Sequence, residues 1–217
     1  MSSAIPLWTW LATAGTLLIV MAYEALQWLP GRHTPDTLSR AAHAKLRAEW
    51  LHALSTQPGS EILAVQTIRN SLMSSTLTAS TAALGLMGTA TLIGAPLLNA
   101  SLNHLPSAPF AFTPRLMLEL ALMGTLFAAL ACSTMAVRYY NHCSFIGSLP
   151  VGSAERARWQ DTGVTYLRRA GVLYSWGLRG LLMVAPLVAG IAHPLAGPVA
   201  ALVLVAVLVG FDRFAQF

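Results

Sequence analysis

Apolar residues run along this chain in long unbroken stretches, not in the short alternations of a half-buried strand. A membrane-crossing helix needs about 20 mainly apolar residues, because the hydrocarbon core of a bilayer is about 30 Å thick. Five stretches meet or approach that length: 7–29, 72–98, 116–137, 173–191 and 195–211. The first holds Glu24 as its only charge, with Trp8 and Trp10 at one end and Tyr23 and Trp28 at the other, the placement of interfacial aromatics. The second has no charge and carries nine Ser or Thr between Ser71 and Thr91. The third has Glu119 in its first turns, the fourth is interrupted by Arg179, and the fifth is short and uncharged. Only a tight turn around His193-Pro194 separates the last two. Both are expected to span, since the long side chain of Arg179 can snorkel towards the headgroups.

The polar connections predict two further helices. In 30–60, Thr34 can cap, Pro35 suits the first helical position and Asp36 favours the N-terminal dipole. Leu38, Ala42, Leu46 and Trp50 then form a narrow apolar stripe flanked by Arg40, Lys45 and Arg47, and the helix is expected to end before Pro58-Gly59. It reads as an amphipathic helix on the inner leaflet or on the underside of the bundle. In 138–172, Ser153 can cap with Glu155 in the first turn. The helical spacing of Val164, Leu167, Gly171 and Tyr174 carries that helix towards the fourth apolar stretch.

Composition agrees with the pattern. Only 10% of the 217 residues are charged, against about 25% in ordinary soluble domains. The net charge of +5 is concentrated in the two loops just described. The stretch 99–114 before Arg115 and the turn at 193–198 have no Lys or Arg. The positive-inside rule therefore places loops 30–60 and 138–172 and the C-terminus in the cytoplasm, facing anionic headgroups, with the N-terminus outside. This distribution argues against nucleic acid as the partner of the basic charge. Residues 1–6 carry no basic n-region, so the first apolar stretch is expected to be retained as a span. Cys132 and Cys143 are too far apart on one helix for a disulfide and read as free thiols.

Candidate chemistry is sparse. No Gly-Lys-Ser/Thr loop, GxSxG, HExxH or GxGxxG occurs, and no carboxylates stand at catalytic spacing. The six histidines do not face one another at membrane depth in this topology, so no haem or metal is expected. Three constellations remain. Ser71, Ser75 and Ala79 at four-residue steps, with Thr78 and Ala82 alongside and Gly85 beyond, form a small-residue face on the second span. It is either a packing surface or a polar lining for a path. Arg69 with Asn70, Arg138 with Asn141, and Arg179 gather at the inner ends of three spans, with Glu24 and Asp212 at the same level. They read as snorkelling or ion-paired charges, or as an anion or headgroup site built from guanidiniums. Arg115 and Glu119 form an i, i+4 pair at the outer end of the third span.

The run Ala64-Val65-Gln66-Thr67-Ile68-Arg69-Asn70-Ser71-Leu72-Met73, followed by Ala79-Ser80-Thr81-Ala82, is a distinctive signature. Arg47-Ala48-Glu49-Trp50, Arg138-Tyr139-Tyr140-Asn141-His142 and Tyr174-Ser175-Trp176-Gly177-Leu178-Arg179-Gly180 accompany it. Together they resemble the multi-pass membrane family known as domain of unknown function 599. The resemblance implies a helical membrane protein with no settled activity, and it adds weight to Arg69, Asn70, Arg138, Asn141 and Arg179. The expected molecule is thus all-α, a single integral membrane bundle of five spans with two amphipathic cytoplasmic helices. It is expected to be non-enzymatic and free of cofactors, in a plasma or inner membrane, and to act as an accessory subunit or a homo-oligomer. The alternative is a small channel or transporter with a Ser/Thr-lined second span and an arginine-rich inner anion site.

Overall fold

Every regular element is a helix. The computed structural model describes residues 5–28, 39–102 and 112–214, and these form α1 (Leu7–Trp28), α2 (Ser39–Leu54), α3 (Glu61–Leu102), α4 (Pro114–Gly147), α5 (Ala154–Ala192) and α6 (Ala196–Phe214). Three of the apolar stretches fall wholly inside helices, and 7–28 and 196–211 of the other two are helical. Four helices, α1, α3, α4 and α5, are long and apolar enough to cross a membrane, and the apolar part of α6, Ala196–Gly210, is shorter.

Three helices far outrun their apolar stretches. At about 1.5 Å per residue, the 42 residues of α3 extend about 63 Å, twice the hydrocarbon thickness. The helix of the second basic loop and the fourth apolar stretch are a single 39-residue element, α5. Nothing between Ala154 and Arg179 breaks it, because Gly163, Gly171 and Gly177 all sit where another element crosses closely and helical φ is kept. Pro186 does lie within α5, buried, where its missing N–H removes one rung of the helical ladder.

Local signals explain the helix ends. Thr113 caps α4, its hydroxyl accepting the Leu116 N–H at 3.2 Å, with Pro114 at the first helical position. Ser153 caps α5 as its sequence position predicts, accepting the Arg156 N–H at 3.2 Å. The Ser60 hydroxyl donates to the Leu54 carbonyl at 2.7 Å, closing α2 just before α3 begins. Gly59 and Gly152 take φ of 81° and 86° in the two turns, a left-handed conformation open to glycine at little cost.

The chain divides into two compact units. The first comprises residues 1–30, 82–128 and 180–211, and the second residues 31–81, 129–179 and 212–217. Within the first, Val20, Tyr23, Met183 and Ala201 form one buried cluster. Leu118, Leu122, Leu126 and Leu187 form another. Within the second, Leu51 of α2, Ile68 of α3, Ala136, Tyr140 and Cys143 of α4, and Leu167 and Ala170 of α5 share one core.

Helix α2 thus joins a protein core, through Trp50 of the stripe its sequence predicts and, beyond that stripe, through Leu51. Leu46 of that stripe is exposed, whereas Leu51 and Leu54 are buried and Arg47 and Trp50 are half-buried. Leu51 lies near Gly163, where an added Cβ would stand 3.4 Å from its methyl group and 3.2 Å from Ile146 of α4. Thr34, Pro35, Asp36 and Leu38 lie outside the described residues, as does the side chain of Ala42. Both cysteines are free thiols, Cys143 buried with its Sγ 3.5 Å from the Gly163 carbonyl.

Candidate functional site

The small-residue face of α3 turns largely inward. Ser75, Thr78, Ala82 and Thr89 are buried, and Ser71, Ala79, Ala83 and Gly85 are half-buried. In the first unit, a Cβ added at Gly85 would stand 3.0 Å from Leu126 of α4, so the glycine is what admits that leucine. The hydroxyls of this face are spent on their own helix. Ser75 donates to the Ser71 carbonyl at 2.9 Å, Thr78 to Ser74 at 2.9 Å and Thr89 to Gly85 at 2.8 Å. Such back-bonding satisfies a hydroxyl locally and leaves the apolar side of the residue for packing.

A different face of α3 looks outward. Ser74, Thr81, Gly88 and Ala95 recur every seven residues and all are exposed, and nothing lies within 4 Å of a Cβ built on Gly88. Exposed Leu77 and Leu84 lie between them. Of the four long apolar helices, α3 has the least buried apolar window, 17% against 22–28% for the others.

The arginines fall into two groups. Arg69, Asn70, Arg138 and Asn141 are exposed on the second unit, each next to an inward residue such as Ile68 or Tyr140. Arg179 is half-buried and partnered, and Glu24 is likewise half-buried and partnered. Asp212 lies in α6, with its side chain outside the described residues. The Arg115–Glu119 pair forms as its spacing predicts, with Nε 2.9 Å from Oε1.

Two arginines that the sequence reading left as loop charge are turned inward instead. One is Arg47, held in the second unit beside Gly171. The other is Arg156, only 3% exposed. Its Nη1 donates to the carbonyls of Gly147 at 3.1 Å and Leu149 at 2.6 Å. These carbonyls end α4, where the helix leaves acceptors without intrahelical donors, and a cation also complements the dipole there. Glu61, at the start of α3, completes the turn by accepting the Val151 N–H at 2.9 Å. No sequence signal marks Arg156 apart from its neighbour Arg158, since only the third dimension tells which one meets the helix end.

Replacing Arg156 with Gln strands these carbonyls and is expected to cost about 1.5 kcal/mol. Thermal unfolding in detergent checks this, and an unchanged midpoint counts against the cap. Arg158→Gln, at an exposed position, is the control and is expected to change little.

The described residues offer no group of three or more His, Cys, Asp or Glu placed to hold a metal. No curated protein and no solved structure matches the chain. A family model does, over residues 11–217, nearly the whole length. The chain belongs to the DUF599 family, described as a protein of unknown function. The signature segments of this DUF599 chain meet in the second unit. Ile68 from the α3 run, Tyr140 from the α4 run and Trp50 from α2 all pack in the same core, while Arg69, Asn70, Arg138 and Asn141 are exposed.

Proposed function

We propose that this DUF599 protein is a non-enzymatic membrane protein that works by helix–helix assembly, as a homo-oligomer or as the accessory subunit of a larger complex. In this reading five helices span a plasma or inner membrane, with the N-terminus outside and both basic loops facing the anionic inner leaflet. The observation that carries it is the outward face of α3, with Ser74, Thr81, Gly88 and Ala95 exposed at seven-residue spacing. Lipid chains give helices no hydrophobic reason to associate, so close backbone approach over small residues is what holds membrane helices together. A seven-residue repeat keeps one seam aimed at a partner helix along its whole length. A face meant only for lipid has no use for a glycine and a serine in that register. The channel reading is less favoured, because the hydroxyls it would use at Ser75, Thr78 and Thr89 are buried and bonded to their own helix.

The test is cross-linking in native membranes with a single cysteine at position 88, in a background where Cys132 and Cys143 are alanine. Bismaleimide treatment is expected to give a dimer or a discrete heavier adduct. Gly88→Leu is expected to abolish the assembly in native gels while the helical signal and melting midpoint of the monomer hold. A wild-type protein that stays monomeric in both native membranes and lipid nanodiscs overturns the proposal.

A further inference from the structure

The second unit contains a cavity of about 250 Å³ lined by Leu46, Arg47 and Trp50 of α2, Thr67, Ile68 and Ser71 of α3, Tyr140 of α4 and Leu167 of α5. That is about eight water volumes. Its walls are apolar except for one cation and three hydroxyls. The guanidinium of Arg47 lies against Gly171 of α5, and a Cβ added there would collide with it. Gly171 is therefore the gap that lets the charged head lie between helices.

Arg47 has no anion. Its Nε is buried and makes no hydrogen bond. Neither the Lys45–Glu49 nor the Arg115–Glu119 ion pair involves it. From the elements packed around it, the polar groups that face the cavity are Tyr140, Thr67 and Ser71, whose hydroxyl donates to the Thr67 carbonyl at 3.3 Å. The Tyr140 and Thr67 hydroxyls can donate, the Ser71 proton is spent on Thr67, and none of the three neutralises a cation. Arg47 is half-buried overall with its Nε shut off from solvent, and a guanidinium keeps its charge there, so an anion that takes up its N–H groups would stabilise it. The planar fork fits a phosphate or carboxylate in two-pronged fashion. The rest of the lining, Leu46, Trp50, Ile68 and Leu167, suits hydrocarbon, and binding sites of this kind combine apolar walls with a few fixed polar groups.

We propose that this cavity binds the phosphate head and first carbons of an anionic lipid, with Arg47 as the anion ligand, Tyr140 and Thr67 as supporting donors and Trp50 against the chain. The cavity lies immediately before the apolar part of α3, which starts at Leu72, so it opens at headgroup level in the topology proposed above. The proposal concerns binding by one protomer and does not depend on the assembly through α3.

Titration of the full-length protein, in neutral detergent, with dihexanoyl phosphatidic acid tests it by calorimetry and by Trp emission. Saturable binding is expected, at least tenfold tighter than for dihexanoyl phosphatidylcholine or inorganic phosphate, and the emission change is expected to be lost in Trp50→Phe. Arg47→Gln is expected to weaken binding by at least tenfold with unchanged helical content. Should that variant misfold, Arg47→Lys keeps the charge but not the fork and is expected to lose affinity several-fold. Gly171→Ala evicts the guanidinium without touching its charge and is expected to lose binding as well. Equal binding of the two lipids, equal binding of inorganic phosphate and phosphatidic acid, or unaltered affinity in the folded Arg47 variants overturns the proposal.

Discussion

Gly197→Ala is expected to destabilise the protein by about 3 kcal/mol, the upper range for forcing one extra methyl into a filled site. The helix α6 begins one residue earlier, and in the first unit Gly197 faces two other helices. An added Cβ would overlap the Thr16 hydroxyl of α1 and stand 3.0 Å from the Gly190 Cα of α5. Neither can give way. Thr16 is fully buried, its hydroxyl donates to the Ala12 carbonyl at 3.0 Å, and its branched side chain has few alternative rotamers. Gly190 presents backbone, which moves only with its helix. Thr16→Ala should therefore rescue Gly197→Ala in part, and Gly197→Val should not fold. The control is Gly124→Ala in α4, where an added Cβ meets nothing within 4 Å. Alanine is about 0.8–1 kcal/mol better than glycine inside a helix, so this variant is expected to be neutral or stabilised. Unfolding in mixed micelles measures both. If the two substitutions shift stability in the same direction, the close crossing at Gly197 is not real.

Ser133 and Gly177, in the second unit, are expected to behave as a coupled pair. Ser133 is fully buried, and its hydroxyl makes no hydrogen bond. A Cβ on Gly177 would land on that hydroxyl, with the Ala129 carbonyl at 3.3 Å beyond it. Ser133→Ala removes an unsatisfied polar group, so it is expected to be neutral or stabilising by up to about 1 kcal/mol. Gly177→Ala alone is expected to cost about 2 kcal/mol through overpacking. Made together they should cost little, leaving an interaction energy of about 1–2 kcal/mol, within the range for residues in contact. Strict additivity of the two effects would show that α4 and α5 do not cross at these residues.

The fold class was plain from apolar run lengths, because a helix in lipid must satisfy its own backbone and therefore needs a long uninterrupted stretch. The cap at Ser153 and the pair Arg115–Glu119 were equally legible, since both depend on partners three or four residues away. Helix ends beyond the apolar runs were harder to read. α3 begins at Glu61 and α4 continues to Gly147, through polar residues that hydropathy treats as loop. The buried face of α2 extends past its apolar stripe to Leu51 and takes in part of Arg47, which counts as polar in any periodicity although Gly171 makes room for it. The family signature pointed to Arg69, Asn70, Arg138 and Asn141, which the fold leaves at the surface, and gave no means of separating them from Arg47. A charge inside a cavity and a charge on its rim look alike in one dimension.

The turn after α4 bears on the order in which the chain acquires its structure. The donors on Arg156 reach carbonyls only nine and seven residues earlier. Closing so short a loop costs little entropy and takes well under a microsecond. This corner can therefore form as soon as Arg156 leaves the ribosome, without waiting for any contact distant in sequence. The Glu61 latch on Val151, 90 residues apart in sequence, closes a far longer loop at a larger entropic cost and gains from a corner already made.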